Sequence, residues 1–333
     1  VRPLTIAVDA MGGDHAPAVV VAGAVAAVRD LPTVHLLLVG QAAVLNEALA
    51  GRASDRLTVV DAPDVIGMEE APLAALRRKP QASIRVSVEC VARGDADAIY
   101  SAGHTGATLL AAHAGFGLAP GAERPALAVR IPTLSGEALL LDTGATMDCR
   151  PEHLRAFAVM GAAYARMALG VAEPRVGLLS VGEESGKGTE LVRAAHPLLA
   201  ALGEAGRIHY RGNIEARDMF SGQADVIVTD GFTGNVALKM GEGLVAMLEK
   251  FLRDELGRTA WTTLGAGMAK GAFQRFFARV DAGERGGAPL LGLAGLAVVG
   301  HGRSKARAIR NGIVTAVRLA EEQMVSRLAE ALR

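Results

Sequence analysis

The sequence predicts an α/β protein with three layers, α/β/α, around a mainly parallel central sheet. Two observations carry this. Short, almost continuous apolar runs rich in Val, Leu and Ile alternate along the chain with longer stretches of helical period. Strands buried on both faces and joined by crossover helices have this pattern. In addition, each run ends in Gly, Asp or Ser, the residues expected where a parallel strand turns into a helix at its carboxyl end.

In chain order the predicted strands are "LTIAVDA" (4–10), "VHLLLVG" (34–40), "LTVVDAP" (57–63), "DAIYSAG" (97–103), "ALLLDTG" (138–144), "RVGLLSVG" (175–182) and "DVIVTDG" (225–231). Between the fifth and sixth, Pro151 to Leu169 reads as a helix. Pro opens it, Gly170 follows it, and Leu154, Phe157, Ala158, Gly161 and Ala165 share one side. The rhythm breaks after the seventh strand. Leu244, Met247, Leu248, Phe251, Leu252 and Leu256 make a helical stripe, followed by "GRTAWTTLGAGMAKGAFQRFFARV" with the only tryptophan. Residues 242–285 are expected to form a projecting helical hairpin within a single catalytic unit spanning 1–333. Its apolar tip, 258–277, suits either peripheral membrane contact or a protein interface.

Composition narrows the classes. Half of the 333 residues are apolar but only 4% are aromatic, so Ala, Val, Leu and Gly must fill a large core. The 35 basic and 35 acidic residues balance, which argues against broad binding of nucleic acid. Two cysteines, Cys90 and Cys149, make no disulfide or metal framework and fit a reduced, cytoplasmic setting. The run Ala16 to Val28 is too short to span a bilayer, and Val1 to Ile6 lacks a signal-peptide core. The expectation is a soluble cytoplasmic protein, at most peripheral to the inner face of the cell membrane.

Polar chemistry collects where the strands end. The first loop offers Asp9, Gly12, Gly13, Asp14 and His15; the second, "SAGHTGA", offers Ser101, Gly103, His104, Thr105 and Gly106. Asp142 stands in "LLLDTGAT", Glu184, Gly186, Lys187 and Gly188 in "GEESGKGTE", and Asp230, Thr233, Gly234 and Asn235 in "TDGFTGN". Glycine after a strand lets backbone N–H groups reach an anion, and the following helix adds its positive end. One such loop is commonplace; five in one chain predict an anionic ligand. The Lys187 loop is not a phosphate loop of the nucleotide-binding kind: three residues, not four, precede its Gly-Lys pair, and Gly188 stands where Ser or Thr is required. No G-x-G-x-x-G, G-x-S-x-G or metal-ligand spacing appears, so neither a bound metal, a cofactor nor a covalent enzyme intermediate is expected. For Asp230 two readings stand, a helix cap or a group that steers the lysine or the phosphate proton, and Asn235 has two N–H donors suited to a phosphate or an oxyanion.

These residues sit in motifs that resemble one family nearly end to end. "VDAMGGDHAP", "IGMEEAPLAALRRKPQASIR", "ADAIYSAGHTGATLLAA", "LLLDTGA", "VGLLSVGEESGKGTE", "GNIEARDMFSGQADVIVTDGFTGNVALKMGEG" and "GGAPLLGL" are similar to the bacterial phosphate acyltransferase (PlsX) family. His104 and Thr146 depart from it, since Asn is usual at both positions. The resemblance implies a fold like that of isocitrate and isopropylmalate dehydrogenases and of phosphotransacetylase, and a homodimer. It implies transfer of a long-chain acyl group from acyl carrier protein to inorganic phosphate, with acyl phosphate passing to a downstream membrane glycerol-phosphate acyltransferase. Phosphate is largely ionised near neutral pH and needs positioning rather than an enzyme nucleophile, so direct displacement is expected, with Lys187, Asp230 and Asn235 as catalytic residues and the other loop residues binding substrate. The competing readings are acyl-coenzyme A as donor, a nicotinamide-dependent decarboxylating dehydrogenase of the same fold group, and a non-catalytic membrane adaptor. Two basic clusters, Arg77, Arg78 and Lys79, and Arg303, Lys305, Arg307 and Arg310, are candidates for docking an acidic carrier protein.

Overall fold

The computed structural model describes residues 3–52, 54–280 and 286–333, with 278–280 as backbone only. The predicted α/β class holds, but the strands divide between two sheets. The larger has β1 (Leu4–Asp9), β2 (Val34–Gly40), β3 (Leu57–Asp61), β4 (Ala98–Ser101), β5 (Ala126–Leu127), β11 (Ala288–Leu291) and β12 (Leu296–Val299) in the order β3-β2-β1-β4-β12-β11-β5. The smaller has β6 (Val129–Thr133), β7 (Gly136–Leu141), β8 (Arg175–Ser180), β9 (His209–Glu215) and β10 (Val226–Val228) in the order β6-β7-β10-β8-β9. Only Ala128 separates β5 from β6, so the chain passes straight from one sheet into the other. Pairing is parallel except at β11, which runs against β12 and β5, and at β6, which runs against β7.

All seven predicted strands are present. The five that sequence reading misses have physical reasons to be faint. β5, β11 and β12 are two to four residues long, and β6 and β9 are edge strands carrying charges where a central strand would be apolar. In the larger sheet the alternation is plain: Ile6 and Val8 face α1 (Ala18–Asp30) and α11 (Ala306–Glu321), whereas Ala7 faces α4 (Ser83–Ala92) and α5 (Thr105–Phe116). In the smaller sheet Leu139, Leu141, Val176 and Leu178 face α6 (Pro151–Ala168) and α7 (Glu190–Glu204), while Leu140, Leu179 and Ile227 face away from them. One cluster of buried side chains runs across both sheets.

The projecting arm differs from its predicted bounds. Its first helix, α8 (Gly231–Leu256), begins eleven residues before position 242 because Asp230 caps it and Gly231 and Gly234 seat its first turn against the protein body. Then come α9 (Ala260–Met268), with no buried residue, and α10 (Lys270–Val280). Residues 281–285 of the expected hairpin lie outside the described residues. No helix among the described residues is long and apolar enough to cross a membrane.

α6 packs on the strands that carry the smaller sheet's loops, and Gly161 sets that distance. A Cβ there would come within 2.6 Å of Val226 Cγ1 and 3.0 Å of Leu141 Cδ2. Gly161→Ala therefore gains about 1 kcal/mol of helix propensity but overpacks a close contact, which costs about 1–3 kcal/mol. The expected outcome is a lower denaturant midpoint with an unchanged slope; a more stable variant would show that the helix can slide.

Candidate active site

Asp9 ends β1 directly opposite Ser101 at the end of β4. That register brings the Ser101 hydroxyl to donate to Asp9 Oδ2 at 2.7 Å, while Ser83, at the start of α4, donates to Oδ1 at 2.6 Å. The carboxyl is fully enclosed, and burial pushes its pKa up against the opposing pull of the two hydroxyls and the Met11 and Gly12 N–H groups. Gly12 lies so close that a Cβ would meet Asp9 Oδ2 at 2.5 Å and the Gly103 nitrogen at 2.8 Å. The two loops thus pack backbone on backbone, and only glycine fits between them. Asp9, Ser83, Gly12, Gly103, His104 and Thr108 line a small cleft whose other wall is Met11, Ile66 and Ala107. His104 caps α5, its Nδ1 accepting the Gly106 N–H at 3.1 Å. Thr105 starts that helix, and the His15 side chain is exposed in the loop after β1.

The smaller sheet presents a second set. Val228 of β10 is paired with Leu141 on one side and Leu178 on the other, so Asp142, Asp230 and the loop after Ser180 emerge side by side from strands about 4.8 Å apart. Asp142 is wholly buried. Its Oδ1 accepts N–H groups from Leu127 (2.8 Å), Gly144 (3.1 Å) and Ala145 (3.0 Å), and its Oδ2 accepts from Thr146 (2.5 Å). Burial raises its pKa and these four donors oppose the rise, since only an acceptor can meet them. Asp142 therefore lies beneath the site and holds up its floor. Asp230 accepts the Thr233 N–H (2.8 Å) and hydroxyl (2.7 Å), which is the capping arrangement. One turn further on, Asn235 is half-buried beside Gly144 and makes no side-chain hydrogen bond among the described residues.

Lys187 stands on an exposed turn between β8 and α7. Its N–H donates to the Glu184 carbonyl at 3.0 Å, its stem folds over Gly182, and no acidic side chain pairs with its ammonium among the described residues. Gly186 has open space around it, and Gly188 takes a φ of +99°, a conformation suited to glycine. Glu184 is exposed beside them. The Lys187 ammonium, two glycines and the start of α7, where Arg193 Nη1 donates to the Gly188 carbonyl at 2.6 Å, form a surface for an oxyanion. The two strand edges approach each other at α8, where His301, in the loop after β12, lies 3.9 Å from Glu242.

Some predicted residues take other duties. Lys79 is held by Glu70 (2.5 Å) and by the Val65 carbonyl (2.6 Å), Arg78 approaches Glu70 at 3.6 Å, and Arg310 pairs with Asp30. Thr146 is buried, its hydroxyl donating to the Pro125 carbonyl. Sequence reading passed over Asn213 of β9 and Ser180 of β8, both buried under the Lys187 loop. An asparagine inside a strand is unusual enough to have marked the first.

With this geometry in place, comparison with known proteins is decisive. The sequence pattern of the fatty acid synthesis protein family matches residues 4–327. A phosphate acyltransferase of Thermus thermophilus is 49% identical over 330 residues, covering 99% of this chain and 98% of that protein. The chain belongs to the phosphate acyltransferase family, a family of enzymes. A second relative, the phosphate acyltransferase of Heliobacterium modesticaldum, is 46% identical over 98% of this chain and 97% of its own. Solved structures with the same fold include a phosphotransacetylase from Streptococcus pyogenes (TM-score 0.64, 17% identity, 96% of this chain and 95% of that one). Another is a 4-hydroxythreonine-4-phosphate dehydrogenase from Klebsiella pneumoniae (TM-score 0.55, 16% identity, 96% and 99%). Membership makes the chain an enzyme of lipid metabolism and sets aside the non-catalytic adaptor.

The scaffolding duty of Asp142 gives a direct check. In Asp142→Asn one carboxylate oxygen becomes an NH2 group facing backbone donors, and at least one buried N–H loses its acceptor. Such a loss costs about 1–3 kcal/mol. Chemical denaturation should record a drop of that size despite the unchanged shape; full stability would mean that the loop finds other partners.

Proposed function

We propose that this enzyme transfers a long-chain acyl group from acyl carrier protein to inorganic phosphate. The observation that carries the reading is the unpaired Lys187 on its glycine turn, on the strand edge that also presents the free Asn235 amide. Relatives named phosphate acyltransferase agree with a phosphate acceptor. In the proposed step a phosphate oxygen attacks the thioester carbonyl carbon; the new C–O bond forms, the C–S bond breaks, and the carrier's thiolate leaves and takes up a proton. Lys187 and the Gly186 and Gly188 N–H groups neutralise and orient the phosphate. Asn235 donates to the thioester oxygen as negative charge builds on it. Both Asp230 oxygens are engaged by Thr233, so Asp230 acts by aiming the first turn of α8, with Thr233 and Gly234, at the reacting group. Asp9, Gly12, Gly13, Ser101, Gly103, His104, Thr105 and Gly106 shape the donor's side of the cleft, with His15 in the loop after β1.

The assembly reading follows from exposed apolar surface. Phe232, Val236, Met240, Leu244, Leu248 and Phe251 form an uncovered stripe along α8, which we assign to a second copy of this chain in a homodimer. Trp261 (83% exposed), Leu264 and Met268 (85%) crown the arm, with Lys270 and Arg275 also exposed beyond them. That composition suits reversible contact with the inner face of the cell membrane, where a membrane glycerol-phosphate acyltransferase would take the product. For carrier-protein docking, Arg77, Arg78, Arg303, Lys305 and Arg307 are the exposed cations of the candidate clusters, with Arg78 3.6 Å from Glu70.

Hydroxylamine trapping of acyl phosphate made from acyl-loaded carrier protein tests the reaction. Lys187→Met should fold, keep carrier-protein affinity, and lose about 10²–10³-fold in turnover with a raised KM for phosphate. Near-normal turnover and phosphate dependence would remove Lys187 from the site.

Trp261 is the only tryptophan, so its emission reports the arm directly. Vesicles containing anionic lipid should shift that emission to the blue. Leu264→Ser with Met268→Ser should weaken co-sedimentation with the vesicles at constant dimer mass. Loss of the dimer instead would assign the tip to the subunit interface.

A further inference from the structure

Beneath the Lys187 loop lie two buried polar side chains that the proposed reaction does not use. Asn213 (5% exposed) is in β9 and Ser180 (9%) ends β8. Leu178 pairs with Asn213 and Ser180 with Glu215, so Asn213 and Ser180 are diagonal neighbours on one face of the sheet, under the amino end of α7. Asn213 Nδ2 donates to the Glu184 carbonyl at 2.9 Å, the same carbonyl that accepts the Lys187 N–H at 3.0 Å. Gly188, at the other end of the turn, sits over Ser180 so closely that a Cβ would lie 3.0 Å from its Oγ. Asn213 Oδ1 and Ser180 Oγ are buried and have no hydrogen-bond partner among the described residues.

The Asn213 amide is thus joined to the Lys187 turn through one shared carbonyl acceptor. We propose that Asn213 is a positioning residue for the acyl acceptor: through the Glu184 carbonyl it fixes the 184–187 turn to β9 and so sets where the Lys187 ammonium meets phosphate. Ser180 completes the floor under Gly188, where a φ of +99° and the nearness of Val192 and Ser180 favour glycine. Asn213 touches neither substrate, and its effect passes through Lys187. This inference rests on the reading of Lys187 as the phosphate ligand.

The test separates the tie from general stability. Asn213→Leu keeps the branched shape in a larger side chain without the donor, and Asn213→Ser removes the amide without adding bulk. Ile214→Ala, whose side chain is buried on the opposite face of the same strand, is the stability control. Loss of a hydrogen bond of ordinary strength should raise the KM for phosphate about tenfold in both Asn213 variants, with the KM for acyl carrier protein and kcat at saturating phosphate changed by less than about threefold. Asn213→Gln, which still carries the donor, should recover part of the loss. Ile214→Ala should lower the melting temperature and leave the KM for phosphate unmoved. An unchanged KM in both Asn213 variants, or an equal rise in Ile214→Ala, overturns the proposal. If Lys187→Met raises the KM for phosphate while the Asn213 variants do not, only the positioning role fails; if Lys187→Met itself has no effect, the reading on which it rests fails first.

Discussion

The Asp142 carboxylate is the clasp on which the arrangement of the site depends. Three of its four donors come from its own loop, Gly144 to Thr146, and the fourth is Leu127 of β5, in the other sheet. The Thr146 carbonyl in turn accepts the Gly231 N–H at the start of α8. One buried group thereby fixes the join between the sheets, the loop after β7 and the first turn of the helix that carries Asn235. A buried carboxyl is tolerable there because backbone donors meet both of its oxygens. Asp9 does a parallel job in the larger sheet, with two serine hydroxyls in place of part of the backbone.

The core's composition makes these close loops feasible. With few aromatic side chains to space the layers, helices and loops approach to distances set by alanine and glycine. Gly12 against Gly103 and Gly234 against the Asp142 carbonyl are contacts that no side chain would survive. Close packing has low compressibility, so these contacts hold the loops at the strand ends in one arrangement.

The arm obeys different rules. α8 is joined to the candidate site at its first turn and carries an apolar stripe that the described residues do not cover. α9 buries nothing at all. An apolar helix face left uncovered by the described residues gains stability from a partner, a second copy for α8 and lipid for the tip in the reading above. The candidate site and the exposed arm therefore share one helix, α8.

Much of this was legible in the sequence. The seven apolar strands, the helix from Pro151 and the five polar strand ends follow from local composition, because strand burial, helix caps and glycine turns are written in consecutive residues, and the family showed in the resemblance of whole motifs. Tertiary structure alone decided the rest. The split into two sheets hangs on Ala128 between two short strands, too little sequence to carry a signal. The duties of Asp142, Lys79 and Arg310 depend on partners 15, 9 and 280 residues away. The floor made by Ser180 and Asn213 exists only because β8 and β9 pair in one register. A sequence shows which side chains have hydrogen-bonding or charge to offer; only the packed chain determines which of them are already spent on one another and which are left free to meet a substrate.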